Sequence, residues 1–278
     1  MRVAALTMAY NEPVWARVWA GHYGRQVGAE NCFLLDHGSD DGSTEGLPVR
    51  VERLRRSPLD EVARAGTVAA WAAELLKSYD AVVHSDVDEL VFADPARHRD
   101  LVAFAEAVPD DVVTAAGLDL QHLPDEEPAL DVARPIGAQR EWVRFSAAMC
   151  KPAFIRRPVA WAQGFHACDA AAVWRGLYLI HLRYADLGLG LRRLARTRGL
   201  AFAQAGTNPH QKVPDEEFAE MVRAIALLPR EEFAFDIERA PLRDWLERVR
   251  AGRESGGAWV DLAGDRLWRL PERVRETF

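Results

Sequence analysis

The 278-residue sequence has few cysteines, no long apolar run and no excess of positive charge. Its three cysteines, Cys32, Cys150 and Cys168, lack any CxxC spacing, which argues against a zinc knuckle or a disulfide framework and favours a reducing, cytoplasmic compartment. No window approaches the roughly 20 apolar residues of a membrane-spanning helix, so any membrane association is expected to be peripheral, at the inner face. The net charge of −7 argues against a nucleic-acid partner, which requires a basic surface.

The hydrophobic content of 49% supports a folded core in a chain of this length. Apolar runs at residues 2–8, 31–36, 49–54 and 80–84 predict strands, and periodic apolar positions at 14–27 and 59–78 predict helices. This alternation is typical of an α/β fold with a doubly wound, mainly parallel sheet. Short aromatic segments at 150–156, 161–166 and 173–184 predict a mixed second half, the polar residues 119–139 predict a loop, and the chain beyond residue 186 is predicted to be mainly helical.

An acidic cluster, DVDE at residues 86–89, follows the fourth predicted strand. Asp86, Asp88 and Glu89 therefore come where a parallel strand ends, which is where open α/β sheets bind ligands. The cluster contains no Lys or Arg, so repulsion between its carboxylates predicts a divalent metal as their partner. An isolated DxD is also typical of a solvated turn, and its position after a strand is what favours a site.

These landmarks resemble the family two nucleotide-sugar glycosyltransferases of the GT-A fold, in particular a bacterial subgroup with YNE in the first loop and DxDE at the metal. The resemblance covers about residues 1–200 and rests on the motifs at residues 9–12, 36–43, 86–89, 164–166 and 181–184. It implies a GT-A-like domain over 1–200, with a nucleotide-binding half at 1–117 and an acceptor half at 118–200. Residues 201–278 would form a helical C-terminal extension that packs on this domain.

The resemblance implies transfer of a sugar from a nucleotide diphosphate sugar, UDP-sugar by default, to a hydroxyl of a surface glycan or lipid-linked acceptor, with inversion. The leaving diphosphate requires charge stabilisation, which Mn²⁺ or Mg²⁺ would supply. The expected metal ligands are Asp86, Asp88 and, in preference to His166, His181. The expected donor-binding residues are Tyr10, Asn11, Glu12, Asp36, Asp86, Lys151 and Arg183.

Several of these residues have a competing structural interpretation. Asn11 suits a helix cap, Asp36 a turn, and His181 a packing role. His84, within an apolar strand, is expected to be a core residue. Arg192 and Arg193 belong either to a diphosphate site or to a solvated helix face.

An inverting transferase also needs a carboxylate that accepts the proton of the acceptor hydroxyl. The candidates are Glu141 and Asp169, followed by Asp119. A nucleotidyltransferase or a metal-dependent phosphotransferase is the alternative among enzymes, although the first loop, YNEP, lacks the Gly-rich basic sequence typical of the former. A catalytically inactive sugar-nucleotide or glycan-binding module is the other alternative, against which the intact acidic cluster argues.

Overall fold

The computed structural model describes residues 1–203, 212–257 and 260–278, which contain twelve strands and seven α-helices. The strands are β1 (Val3–Ala9), β2 (Cys32–Asp36), β3 (Arg50–Arg53), β4 (Ala81–His84), β5 (Glu89–Ala93), β6 (Val112–Thr114), β7 (Ala116–Gln121), β8 (Trp142–Phe145), β9 (Pro152–Ile155), β10 (Leu177–His181), β11 (Arg230–Glu232) and β12 (Leu267–Arg269). The helices are α1 (Trp15–Val27), α2 (Glu61–Leu75), α3 (Leu101–Ala107), α4 (Leu187–Arg198), α5 (Asp215–Ala226), α6 (Leu242–Glu254) and α7 (Glu272–Arg275).

The first sheet has the strand order β3-β2-β1-β4-β9-β6. Its first four strands are parallel, and β9 runs antiparallel to both of its neighbours. Every residue of β1, β2 and β4 is buried, which explains their almost continuous apolar sequences. The order β3-β2-β1-β4 is that of a Rossmann-type sheet, so the predicted α/β class is confirmed.

The second sheet is mixed, with the order β11-β12-β8-β7-β10-β5. The chain passes from the first sheet to the second three times, through residues 85–88 between β4 and β5, through Ala115 between β6 and β7, and between β9 and β10. The acidic cluster is therefore a link between two sheets. The mainly helical C-terminal stretch also supplies two strands, because β12 pairs with β8 and β11 pairs with β12.

Helix α1 holds the first of these links in place. Trp19 donates its indole N–H to Ser85 Oγ at 3.0 Å, and the Tyr23 hydroxyl donates to the same oxygen at 2.9 Å. The Val91 backbone N–H in turn donates to the Tyr23 hydroxyl at 2.9 Å. Because these groups are buried, their hydrogen bonds fix the link firmly.

Two of the sequence-based assignments in the second half of the chain differ from the structure. Residues 119–121 belong to β7 instead of a loop, because Leu120 and Gln121 are buried within the second sheet. Residues 163–165 form a 3₁₀ turn instead of a strand, since Gly164 has φ 67°, outside the extended region. His84 packs in the core as expected, 4.2 Å from the Phe165 ring centroid.

No helix in the described ranges combines the length and the apolar character that crossing a bilayer requires.

Candidate active site

A cavity of about 1080 Å³ opens at the carboxyl ends of β1 and β4. The chain leaves β1 toward β2 on one side and returns to β4 on the other, so the cavity lies where the strand order reverses. Ligands of open α/β sheets bind in this crevice. The charged residues that line it are Glu12, Arg56, Glu61, Arg64, Asp86, Asp88, Glu89, Asp119, Lys151, His181, Arg183, Arg193, Arg196 and Asp261.

Asp86 is paired with two cations, Arg64 and Lys151. Lys151 Nζ lies 2.8 Å from Asp86 Oδ2 and 2.6 Å from Glu89 Oε1, and Arg64 binds Asp86 Oδ1. The antiparallel register of β4 and β9, extended by three residues from the pairing of Val83 with Phe154, brings Lys151 opposite Asp86. Burial would raise the pKa of Asp86, but these cations hold it well below its usual range.

Asp88 is held by Arg193, which extends from α4. Helix α4 is capped by Asp186, whose carboxylate accepts the Leu189 N–H at 2.8 Å. One helical face then directs Arg193 to both oxygens of Asp88 and to Glu12 Oε1, the last at 2.9 Å. Arg196, one turn later, reaches Glu12 Oε2 at 2.6 Å.

His181 lies between Asp88 and Asp119. It pairs in register with Glu89 across β5 and with Asp119 across β7. His181 Nδ1 is 2.7 Å from Asp119 Oδ1, and Nε2 is 3.2 Å from Asp88 Oδ2. Burial by itself would lower the pKa of His181, but the hydrogen bonds to Asp119 and Asp88 raise it to about 9. The imidazole is therefore protonated at neutral pH.

This arrangement does not fit the metal site expected from Asp86, Asp88 and His181. The four oxygens of the two aspartates already accept hydrogen bonds from Arg64, Lys151 and Arg193. Within residues 1–203, 212–257 and 260–278, no group of three or more His, Cys, Asp or Glu side chains is placed to hold a metal ion. These cations come from segments distant in the sequence, so the acidic cluster by itself does not predict them.

Asn11 and Asp36 hold the loops beside the cavity and are not among its lining residues. The Asn11 amide exchanges two hydrogen bonds with Asp40, at 2.7 Å and 3.0 Å. Buried Asp36 accepts hydrogen bonds from the Ser39 N–H at 2.7 Å and from Arg53 at 2.9 Å. The structural interpretation of Asp36 as a turn carboxylate thus describes its contacts, whereas Asn11 caps no helix, because α1 begins only at Trp15.

Tyr10 and Arg183, both expected to bind the donor, line the cavity together with Arg56. The Arg56 guanidinium lies 3.7 Å above the Tyr10 ring centroid and donates to His37 Nδ1 at 3.1 Å. Arg183 approaches the rings of Tyr184 and Phe218, both centroids at 5.8 Å. Arg56, beside Tyr10 in the loop after β1, and Arg183, in the segment after β10, thus both contribute to the cavity wall.

The two leading candidates for the catalytic base lie away from this cavity. Glu141 pairs with Arg269 at 3.0 Å and with Arg275 at 3.6 Å. Asp169 accepts the Ala160 N–H at 3.0 Å and lines a separate cavity of about 600 Å³. Asp119, the third candidate, is the one that lines the site.

Two solved structures resemble the chain at low sequence identity. A mannose-1-phosphate geranyltransferase from Thermus thermophilus is 15% identical, with a TM-score of 0.31, and the match covers 99% of this chain and 77% of that one. The mannosyltransferase PcManGT from Pyrobaculum calidifontis, in complex with GDP-Man and Mn²⁺, is 12% identical, with a TM-score of 0.38 and coverage of 92% and 87%. No protein-family model and no curated protein matches the sequence. These likenesses are too distant to transfer a reaction or a ligand, so the function must follow from the cavity itself.

Three cationic residues of the site, Arg56, Arg64 and Arg196, were missed in the sequence. Arg64 lies in α2 and Arg196 in α4. In an amphipathic helix, a charged residue is equally typical of the exposed face. The short spacing between Arg193 and Arg196 was a usable signal, since residues three apart share a helical face. Nothing local distinguished Arg64 or Arg56.

Proposed function

We propose that the protein is a glycosyltransferase that moves a sugar from a nucleotide diphosphate sugar to a hydroxyl group. The observation that supports this is a cavity at the strand-order reversal of a Rossmann-type sheet whose wall carries five guanidinium groups. Such a crevice suits a nucleotide, and guanidinium groups suit its diphosphate. UDP-sugar is the proposed donor and a surface glycan or lipid-linked glycan the proposed acceptor, with inversion at the sugar.

In this transfer the bond between the anomeric carbon and the diphosphate breaks, and its electron pair leaves with the phosphate oxygen. The acceptor oxygen bonds to the same carbon from the opposite face, and its proton passes to a carboxylate. His181 does not serve, because its pKa of about 9 keeps it protonated. The Asp119 side chain is 13% exposed, against 3% for Asp88. Asp119 is therefore the proposed proton acceptor, in place of Glu141 and Asp169.

Product analysis tests the proposed reaction. The protein is incubated with UDP-glucose, UDP-galactose, UDP-N-acetylglucosamine or GDP-mannose, with water or a sugar as acceptor. Release of UDP or GDP supports the proposal. Release of a nucleoside monophosphate or pyrophosphate indicates the nucleotidyltransferase alternative instead, and binding without turnover indicates an inactive module.

Asp119→Asn tests the proposed base. Turnover should fall by about 10²- to 10⁴-fold, the usual contribution of a general base, while nucleotide affinity stays within about threefold. Asp169→Asn is the matched control, since Asp169 lies in the other cavity and should retain full turnover. Equal turnover of Asp119→Asn and the parent protein would remove Asp119 from the mechanism.

A further inference from the structure

Three cations in the cavity, buried Lys151 and the part-buried Arg64 and Arg193, each bridge two carboxylates. Arg64 joins Glu61 to Asp86, and Lys151 joins Asp86 to Glu89. Arg193 joins Glu12 to Asp88. A divalent ion in a carboxylate site neutralises neighbouring carboxylates in this same way.

These cations are held rigidly in position. The Lys151 side chain is only 5% exposed, and the strand pairing of β9 with β4 fixes its backbone. Arg64 extends from α2, whose first turn is capped by Asp60 through hydrogen bonds of 2.9 Å and 3.0 Å. Each cation therefore has two carboxylate partners and extends from an element whose backbone is fixed by hydrogen bonds.

We infer that Arg64, Lys151 and Arg193 take the place of a divalent metal, so that the site binds a nucleoside diphosphate and stabilises its departure without a metal cofactor. This inference rests on the proposed function and deepens it. The paired carboxylates have little uncompensated negative charge left with which to attract Mn²⁺ or Mg²⁺. For the same reason they no longer repel a diphosphate.

In this inference, cationic side chains of the cavity wall stabilise the negative charge that develops on the leaving diphosphate. Arg56, Arg183 and Arg196 line the same cavity as the three bridging cations. Preorganised cations in a water-poor site stabilise departing phosphate oxygens without reorganising during the reaction, and planar guanidinium groups bind those oxygens in pairs.

Calorimetric titration with UDP and with GDP, in EDTA and then in MnCl₂, tests metal-free binding. The expected result is binding in EDTA with an affinity that Mn²⁺ changes by less than about threefold. Binding that appears only with Mn²⁺, or tightens by about tenfold or more, would overturn the inference while leaving the proposed function in place. Failure of both nucleotides to bind under either condition would overturn the proposed function, and the inference with it.

Thermal unfolding with Mn²⁺ alone tests, without any nucleotide, whether the paired carboxylates still bind a divalent metal. The wild-type melting temperature should not change, because the carboxylates of the acidic cluster already have cationic partners. Lys151→Ala leaves Asp86 Oδ2 and Glu89 Oε1 without their cationic partner, so this variant should melt lower and regain stability on addition of Mn²⁺. Lys77→Ala is the matched control, because Lys77 is 70% exposed and pairs with Glu74 at the C-terminal end of α2. A wild-type protein that Mn²⁺ stabilises would refute the inference, whatever the stability of the variant.

Arg196→Gln tests the contribution of the cavity arginines to diphosphate binding. UDP or GDP affinity in EDTA should fall by about tenfold, as expected for loss of a charged phosphate contact. Arg192→Gln, an exposed position on the same helix, should bind like the parent protein. Equal affinity of the two variants would count against a cationic diphosphate site.

Discussion

Asp88 binds a guanidinium and an imidazolium at once. Burial would raise the pKa of its carboxyl, but Arg193 and His181 hold it well below its usual range. Such a carboxylate is charged at every pH at which the protein is expected to fold, and its charge is matched by two partners. Removing that charge therefore takes one of two carboxylate partners from Arg193, which keeps Glu12, and from His181, which keeps Asp119.

Asp88→Asn should lower the free energy of unfolding by about 3 kcal/mol, the lower end of the range for breaking a buried ion pair. The lower end applies because the Arg193 side chain is 26% exposed. Urea unfolding followed by fluorescence measures the change. The control is Asp125→Asn, an exposed position at which a change within about 0.5 kcal/mol is expected. Unchanged stability of Asp88→Asn would show that the pairing with Arg193 and His181 contributes nothing to folding.

His181 should make stability depend on pH in the alkaline range. Its pKa rises on folding from 6.5 to about 9, so the folded state binds its proton more tightly than the unfolded state does. The resulting stabilisation, at most about 3 kcal/mol, is fully present below pH 6.5 and is lost as the pH rises through about 9. Melting temperatures of the parent protein should fall across this interval.

His181→Gln should flatten that part of the profile, since glutamine does not titrate. His98→Gln, which lies outside the cavity, should keep the parental slope. A His181→Gln variant with the parental slope would assign the alkaline transition to another group.

At the scale of elements, the cavity is assembled from segments that are far apart in the chain. Asp86 meets Arg64 from 22 residues away and Lys151 from 65, and Asp88 meets Arg193 from 105. Local patterns predicted β1, β2, β4 and a mainly helical chain beyond residue 186, because burial and period are properties of short segments. They gave the position of the acidic cluster correctly but not its partners, because ion pairs across elements depend on strand order and helix docking.

The same limit explains why β5 and β12 were missed in the sequence. Residues Glu89–Ala93 directly follow the acidic cluster, and their pairing with β10 lies in the other sheet. Residues Leu267–Arg269 have no alternating pattern of their own and become a strand only beside β8. Context supplied by a partner strand overrides local propensity in both cases.

Strand β7 packs closely against the segment before β9, where Gly117 lies against the backbone of Met149 and Cys150. A methyl group on Gly117 would overlap the backbone of Met149 and Cys150, so Gly117→Ala should lower the free energy of unfolding by about 2 kcal/mol or more. Because β7 carries Asp119, the proposed proton acceptor, the rate of sugar transfer should fall as well.

Gly66→Ala, in α2, provides the opposite case. A methyl group there meets no atom within 4 Å, so this variant should gain about 0.5–1 kcal/mol through helix propensity. Chemical denaturation of both variants measures the difference. A stable Gly117→Ala variant would show that the two segments can separate without cost.

At the scale of the whole molecule, the last strand is part of the second sheet. Trp268 is buried, stacks on Phe233 at 4.1 Å between ring centroids and lies 5.0 Å from Trp245. Its backbone pairs with Val143 in β8, whose other neighbour, β7, ends at the cavity. The division into residues 1–200 and a packed extension at 201–278 is still a prediction, and these contacts imply that the two parts unfold together.

Trp268→Ala distinguishes joint from separate unfolding. Loss of this buried ring should cost about 3–5 kcal/mol, and it should lower one single transition, seen at the same temperature by circular dichroism and by calorimetry. Leu227→Ala, at a side chain that is 84% exposed, should leave that transition where it is. If residues 201–278 were an independent unit, Trp268→Ala would instead split the unfolding into two transitions. UDP would then raise the melting temperature of the transition of residues 1–200 alone, because a bound ligand stabilises only the part that binds it.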